Sequence, residues 1–154
     1  PPARPDLLIA QEGALIGLMT PAGRVLDRAA GQGYAAERWL ARDGDPATQA
    51  HAAARSGLSP GDAAARRPRR RLHGTLGTGS STMALTVVRG APPTPLPCRA
   101  GEVLVVPKLQ QAPPGECVFI GKDLLSRGAV AVWLGEGGLR LRSSASDRRR
   151  PWHR

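Results

Sequence analysis

Aromatic side chains are scarce in this chain: one Tyr, one Phe and three Trp in 154 residues. Proteins that read single-stranded nucleic acid stack bases on aromatic platforms, so any nucleic-acid contact here has to be electrostatic. Histidine is equally scarce. None of His51, His73 and His153 has a ligand-type residue two to four positions on. A catalytic zinc site needs three protein ligands and an open position, which argues against a histidine-built metal enzyme. Two cysteines, Cys98 and Cys117, exclude a disulfide-rich miniature scaffold. Leu, Ile, Val and Phe total 31 residues, about 20% of the chain, near the border where burial stops offsetting chain entropy. The expectation is a thin core with long irregular stretches. No apolar run approaches 18 residues, so no segment reads as a transmembrane helix.

Glycine (19), proline (15) and arginine are plentiful. The net charge of +10 is concentrated. Arg66, Arg67, Arg69, Arg70 and Arg71 form one cluster. Arg148, Arg149, Arg150 and Arg154 form another. Setting these nine aside leaves a body near +1. This is the pattern of basic arms on a neutral domain, not of a basic face. Two readings stay open: solvated loops from a GC-rich genome, or contact with phosphates or lipid head groups.

Pro1–Pro5 reads as a lead-in linker. Asp6–Ala10, Ala14–Met19 and Arg24–Asp27 read as a meander of short strands, with a turn at Thr20–Gly23. Tyr34–Arg42 places Ala35, Ala36, Trp39 and Leu40 on one helical face. Ala47–Arg55 reads as a second, weakly anchored helix. Residues 59–81, with Pro60-Gly61, five Arg and a Gly/Ser/Thr run, read as a disordered loop. Met83–Val88 reads as a strand, and the continuous apolar Val103–Val106 as a strand covered on both faces. Val118–Ile120 reads as another. A short helix over Gly121–Gly128, then strands at Ala129–Leu134 and Leu139–Arg142, make the clearest supersecondary unit. The expected core is Leu7, Ile9, Leu18, Trp39, Leu40, Leu85, Val87, Leu104, Val106, Ile120, Leu124, Leu125, Val130, Val132 and Leu139.

Chemical motifs are few. Gly74–Ser81 is glycine-rich, but it lacks the Lys and the preceding strand of a P-loop. Ser80 and Ser81 sit in no G-x-S-x-G elbow. Cys98 and Cys117 flank the Val103–Val106 strand, either as a disulfide or as two thiols. Trp152 either docks on the body or is free.

Several segments together resemble the C-terminal region of ComEC-type competence proteins, in the form found in alphaproteobacteria. They are Arg4–Ile9, Thr20–Arg24, Trp39-Leu40 with Asp43-Gly44-Asp45, Lys122–Leu125 with Arg127–Trp133, and Arg149–Trp152. Proteins of that family are inner-membrane channels for DNA uptake in transformation. Complete members carry a metallo-β-lactamase-like domain. Leu8–Leu26 occupies the place of that domain's first hairpin, Ser81–Gly90 resembles one of its strands, and Gly101–Pro107 resembles the strand before its His-His-Gly-Ser motif. This chain has Lys108-Leu109-Gln110-Gln111 there instead, and the H-x-H-x-D-H loop is missing.

The resemblance implies an α/β or α+β fold, a shortened, degenerate metallo-β-lactamase-like sandwich. Residues 1–5 would be a linker from an upstream membrane region, 6–142 the domain, and 143–154 a basic C-terminal tail. No metal, cofactor or catalytic residue is expected. The implied function is a non-catalytic domain of a membrane DNA-uptake protein, on the extracytoplasmic side. Its partners would be the membrane channel of the same polypeptide and DNA, bound without sequence preference. The candidate DNA contacts are Arg66, Arg67, Arg69, Arg70, Arg71, Arg148, Arg149 and Arg150. The alternatives are an unrelated basic nucleic-acid-binding or structural module and, less favoured, a metal-dependent hydrolase.

Overall fold

A computed structural model of the chain describes residues 3–61 and 66–144. Among these residues ten strands form two five-stranded sheets, with three short α-helices. The first sheet runs from β1 (Leu7–Ile9) through β2 (Ile16–Thr20) and β3 (Gly23–Leu26). It is completed by β9 (Val130–Gly135) and β10 (Gly138–Ser143), in the antiparallel order β10-β9-β1-β2-β3. The second contains β4 (Ser59–Pro60), β5 (Arg71–Thr78), β6 (Ser81–Val88), β7 (Glu102–Val106) and β8 (Val118–Gly121), in chain order. Its first pairs are antiparallel, and β6-β7 and β7-β8 are parallel. The architecture is a mixed α/β sandwich.

The alternation of buried and open positions along these strands dictates the layering. Leu7, Ile9, Leu18 and Val132 from one sheet meet Leu76, Leu85, Val87 and Val105 from the other in the central core. On the outer face of the first sheet, α1 (Gly33–Arg42) and α2 (Gln49–Ala53) bury Trp39, Leu40, Ala36 and Ala52 against Leu15 and Leu26. α3 (Lys122–Leu125) delivers Leu125 to the central core.

The outer face of the second sheet has an unusual cover. Parallel strands need crossover connections, usually helical. Here the segments after β6 and after β7 are irregular, and their Leu96 and Leu109, with Phe119 of β8, pack against Val88, Leu104 and Val106. Cys98 and Cys117 join the two segments as a disulfide, with Cα atoms 4.8 Å apart. The open question between disulfide and thiols resolves to the disulfide. Closing a loop of this length contributes about 3 kcal/mol in the chain-entropy model.

One charged pair is buried between the first sheet and the end of α1. Arg24 is fully buried. Its Nε and Nη2 donate to the two carboxylate oxygens of Asp43 at 2.7 and 3.0 Å. Its remaining donors reach the carbonyls of Gly17 and Pro5. Gly17 is required here, because a Cβ would meet Arg24 Cδ at 2.8 Å and the Trp39 ring at 3.0 Å. The geometry is bidentate and every nitrogen is satisfied, the condition under which a buried pair is tolerated.

Most expected elements are present, with three corrections. Residues 71–81 are not disordered: they form β5 and the turn into β6, with Arg71↔Val88 through Thr78↔Ser81 in register. The alternation of buried Leu72 and Leu76 with exposed Arg71, His73 and Thr75 carries the strand through its glycines. Gly77 sits at φ +82° at the hairpin's end, where a Cβ would strike the Ser81 carbonyl. The linker is docked over its described part, since the Ala3 carbonyl accepts from Trp133 Nε1 at 2.9 Å. The tail begins later than residue 143, because Ser143 still pairs with Val130 in β10. Thirteen of the fifteen expected core residues are buried, and Leu124 and Leu139 are half-buried. Trp152 lies outside the described residues.

Asp45, just past α1, sets a pH dependence. Arg55 donates to both its carboxylate oxygens, at 2.6 and 3.0 Å. That hydrogen-bonded guanidinium holds the Asp45 carboxyl below its ordinary value, against the opposing effect of burial. A depressed carboxyl contributes stability that is fully present above its unfolded pKa and lost as the pH falls through the folded one. Wild type should therefore be more stable than Asp45→Asn in urea at pH 7. The gap should close as the pH is lowered below the ordinary carboxylate range, near pH 4. A gap independent of pH would contradict this.

Candidate anion-binding cleft

Loops converge where β1, β3, β6 and β7 end and β5 begins. Gln11–Gly13 is a tight turn in which Glu12 (φ 63°) and Gly13 (φ 70°) are left-handed. Gly13 is required, because a Cβ there would lie 2.4 Å from Pro107 Cγ. Asp27-Arg28 leaves β3, Pro68–Arg70 is a short turn before β5, Arg89-Gly90 leaves β6, and Pro107-Lys108 leaves β7. In open sheets, ligands bind in crevices beyond the carboxyl ends of parallel strands, and β6 and β7 present theirs here.

Arg89 ties these loops together. Its Nη1 donates to Asp27 Oδ2 at 2.5 Å and to the Arg69 carbonyl at 3.2 Å. Nε and Nη2 both donate to the Gly13 carbonyl, at 3.1 and 2.8 Å. The backbone N–H of Arg89 donates to the Arg70 carbonyl at 2.6 Å. The Asp27 side chain is fully buried, and its other oxygen accepts from the Ile16 N–H at 2.7 Å. This guanidinium is therefore largely saturated by protein.

Around it lies a cavity of about 490 Å³, lined by Glu12, Arg28, Arg69, Arg70, Arg89 and Lys108, with Gly13, Ala14, Gly90 and Pro107 between them. Five cations thus face one carboxylate. Unlike Arg89, the other four keep donors in hand. Arg28 makes one long contact, Nη1 to the Ala14 carbonyl at 3.4 Å, and its Nε is buried with no partner. The guanidinium of Arg70 rests over Gly90, where a Cβ would meet Nη1 at 2.8 Å. Arg69, Arg70 and Lys108 make no side-chain hydrogen bond or ion pair among the described residues. Crowding like charges around one cavity is unfavourable, and an anion in it relieves that cost.

The sequence-expected arginines divide. Arg69 and Arg70 line the cleft. Arg67 joins them and Arg89 around an adjoining hollow of about 380 Å³. Arg66 and Arg71 are exposed and line neither cavity. Arg148, Arg149 and Arg150 lie outside the described residues. Sequence reasoning missed Arg28, Arg89 and Lys108, because isolated charges carry no motif. Their common signal is position: each follows, by one or two residues, an apolar strand that it terminates. The glycine-rich Gly74–Ser81 stretch lines an open groove of about 750 Å³ that has no Arg or Lys among its lining residues.

The cleft's donor set does not suit a metal ion. Its polar groups are guanidinium and ammonium donors with one carboxylate, and metals need neutral imidazole, thiolate or carboxylate. Among the described residues no three His, Cys, Asp or Glu side chains cluster within ligating range. No helix there is long and apolar enough to cross a membrane. No protein-family model, no curated protein and no solved structure matches the chain.

If Arg89 is the tie, its loss should be costly. Arg89→Met strands a buried Asp27 carboxylate and should lower stability by about 3 kcal/mol. Adding Asp27→Asn should recover part of it. Urea unfolding of the three proteins measures both, and an unchanged midpoint for Arg89→Met would show that the loops hold without it.

Proposed function

We propose that this chain is a non-catalytic domain of a ComEC-type membrane DNA-uptake protein, contacting the nucleic-acid backbone through the strand-end cleft. The fold is read, on the same resemblance, as a shortened metallo-β-lactamase-like sandwich. The observation that carries the binding function is the convergence of Arg69 and Arg70 with Arg28, Arg89 and Lys108 on one cavity. These five come from four separate segments, so the cluster is a product of folding and not of a local run of basic sequence. Guanidinium donors in a fork suit phosphate oxygens.

One further observation is in keeping with the family reading. The Cys98–Cys117 disulfide suits an oxidising compartment such as the periplasm, in keeping with an extracytoplasmic placement beside the membrane channel.

Binding of this kind depends on salt and ignores sequence. For oligonucleotides, log K should fall with log salt by about 0.7–0.9 for each phosphate neutralised. The triple variant Arg69→Ser, Arg70→Ser, Lys108→Gln should flatten that slope by about 2–3 units. Titrations of wild type and variant with single- and double-stranded oligonucleotides measure it. Equal slopes would place the contact elsewhere, and no binding at low salt would overturn the proposal.

A further inference from the structure

We propose that the cleft is built for a phosphate monoester, the dianion at a phosphorylated nucleic-acid end, and not for an internal phosphodiester. The inference rests on the cleft being a phosphate site and specifies which phosphate it takes.

Charge is the first argument. The five cations face Glu12 in the lining and Asp27 behind Arg89, which leaves a surplus of three positive charges. An internal phosphodiester carries one negative charge, whereas a monoester carries about 1.5 to 2 at pH 7. The monoester comes closer to matching the surplus and offers three acceptor oxygens instead of two.

Donor geometry is the second argument. The cations lie at two levels. Lys108, Arg69 and Arg70 are exposed, within reach of any backbone passing over the surface. Arg28 is half-buried, and its guanidinium is packed over Gly31, where a Cβ would stand 2.6 Å from Nη2. Its Nε is a buried donor with no protein acceptor. Buried charged donors without partners are costly and rare. A passing backbone has its phosphates flanked by sugars on both sides, which hold it at the level of the exposed cations. A terminal phosphate is free on three oxygens and can descend to Arg28. Arg89, already saturated, is the scaffold on which the others are hung.

The test uses the full chain and one short single-stranded oligonucleotide in three forms: 5′-phosphate, 3′-phosphate and hydroxyl at both ends. At pH 7.5 a phosphorylated form should bind at least about tenfold more tightly than the hydroxyl form. Inorganic phosphate should compete for that difference. The preference should shrink at pH 5, because the second ionisation of the monoester lies near pH 6. Arg28→Gln should weaken the phosphorylated forms far more than the hydroxyl form and so abolish the preference. Arg28→Lys, which keeps the charge and lacks the Nε donor, should reduce the preference even if Arg28→Gln fails to fold. Equal binding of all three oligonucleotides would overturn this inference and leave the proposed function standing. Binding of inorganic phosphate with no oligonucleotide bound would support the monoester site and overturn the nucleic-acid reading. No binding of any of them would overturn both.

Discussion

The cleft depends on the Arg89–Asp27 ion pair. Two sheets packed face to face leave their strand ends ragged, and nothing in the central core fixes the loops beyond them. Arg89 supplies that constraint. It leaves the end of β6 and meets the Gly13 carbonyl, the Asp27 carboxylate and the Arg69 carbonyl. Asp27 is itself held by the Ile16 amide. Because the guanidinium is used up in this way, the cations around it are positioned without being neutralised. Division between a structural cation and ligand-facing ones is what turns a group of like charges into a site.

The rest of the molecule economises on apolar side chains. A composition with so few large hydrophobes cannot fill three wide layers. Ala36, Ala52 and a single Trp39 serve the outer face of the first sheet. On the other outer face a disulfide holds irregular chain where a crossover helix would normally lie. The buried Arg24–Asp43 pair, completed by the carbonyls of Gly17 and Pro5, joins the end of α1 to the sheet and pins the N-terminal segment. Each device replaces buried area with a specific contact.

Much of the fold was legible in the sequence because its strands alternate or run apolar, and its turns are marked by Pro and Gly. Val103–Val106 reads as a strand covered on both faces, and all of it is buried. The failure at β5 has a clear cause. Gly74, Gly77 and Gly79 suggest a loop, but Leu72 and Leu76 keep the period of two, and pairing along β6 overrides the weak local preference. The site was harder to read. The visible Arg66–Arg71 run contributes two of its members to the cleft. The other three are single charges at separate strand ends, brought together only by topology. A run of like charge is conspicuous in sequence, whereas a site made from distant residues is not.

The most direct test of the account is where a phosphate ligand touches the chain. Backbone amide shifts of this chain, followed by NMR during titration with a short single-stranded oligonucleotide, report this residue by residue. The account predicts that the largest changes gather at Gly13, Arg28, Arg70, Gly90 and Lys108, with the amides of the Thr75–Gly79 hairpin left unmoved. Changes confined to that hairpin or to residues 148–150, with the strand-end amides silent, would contradict it.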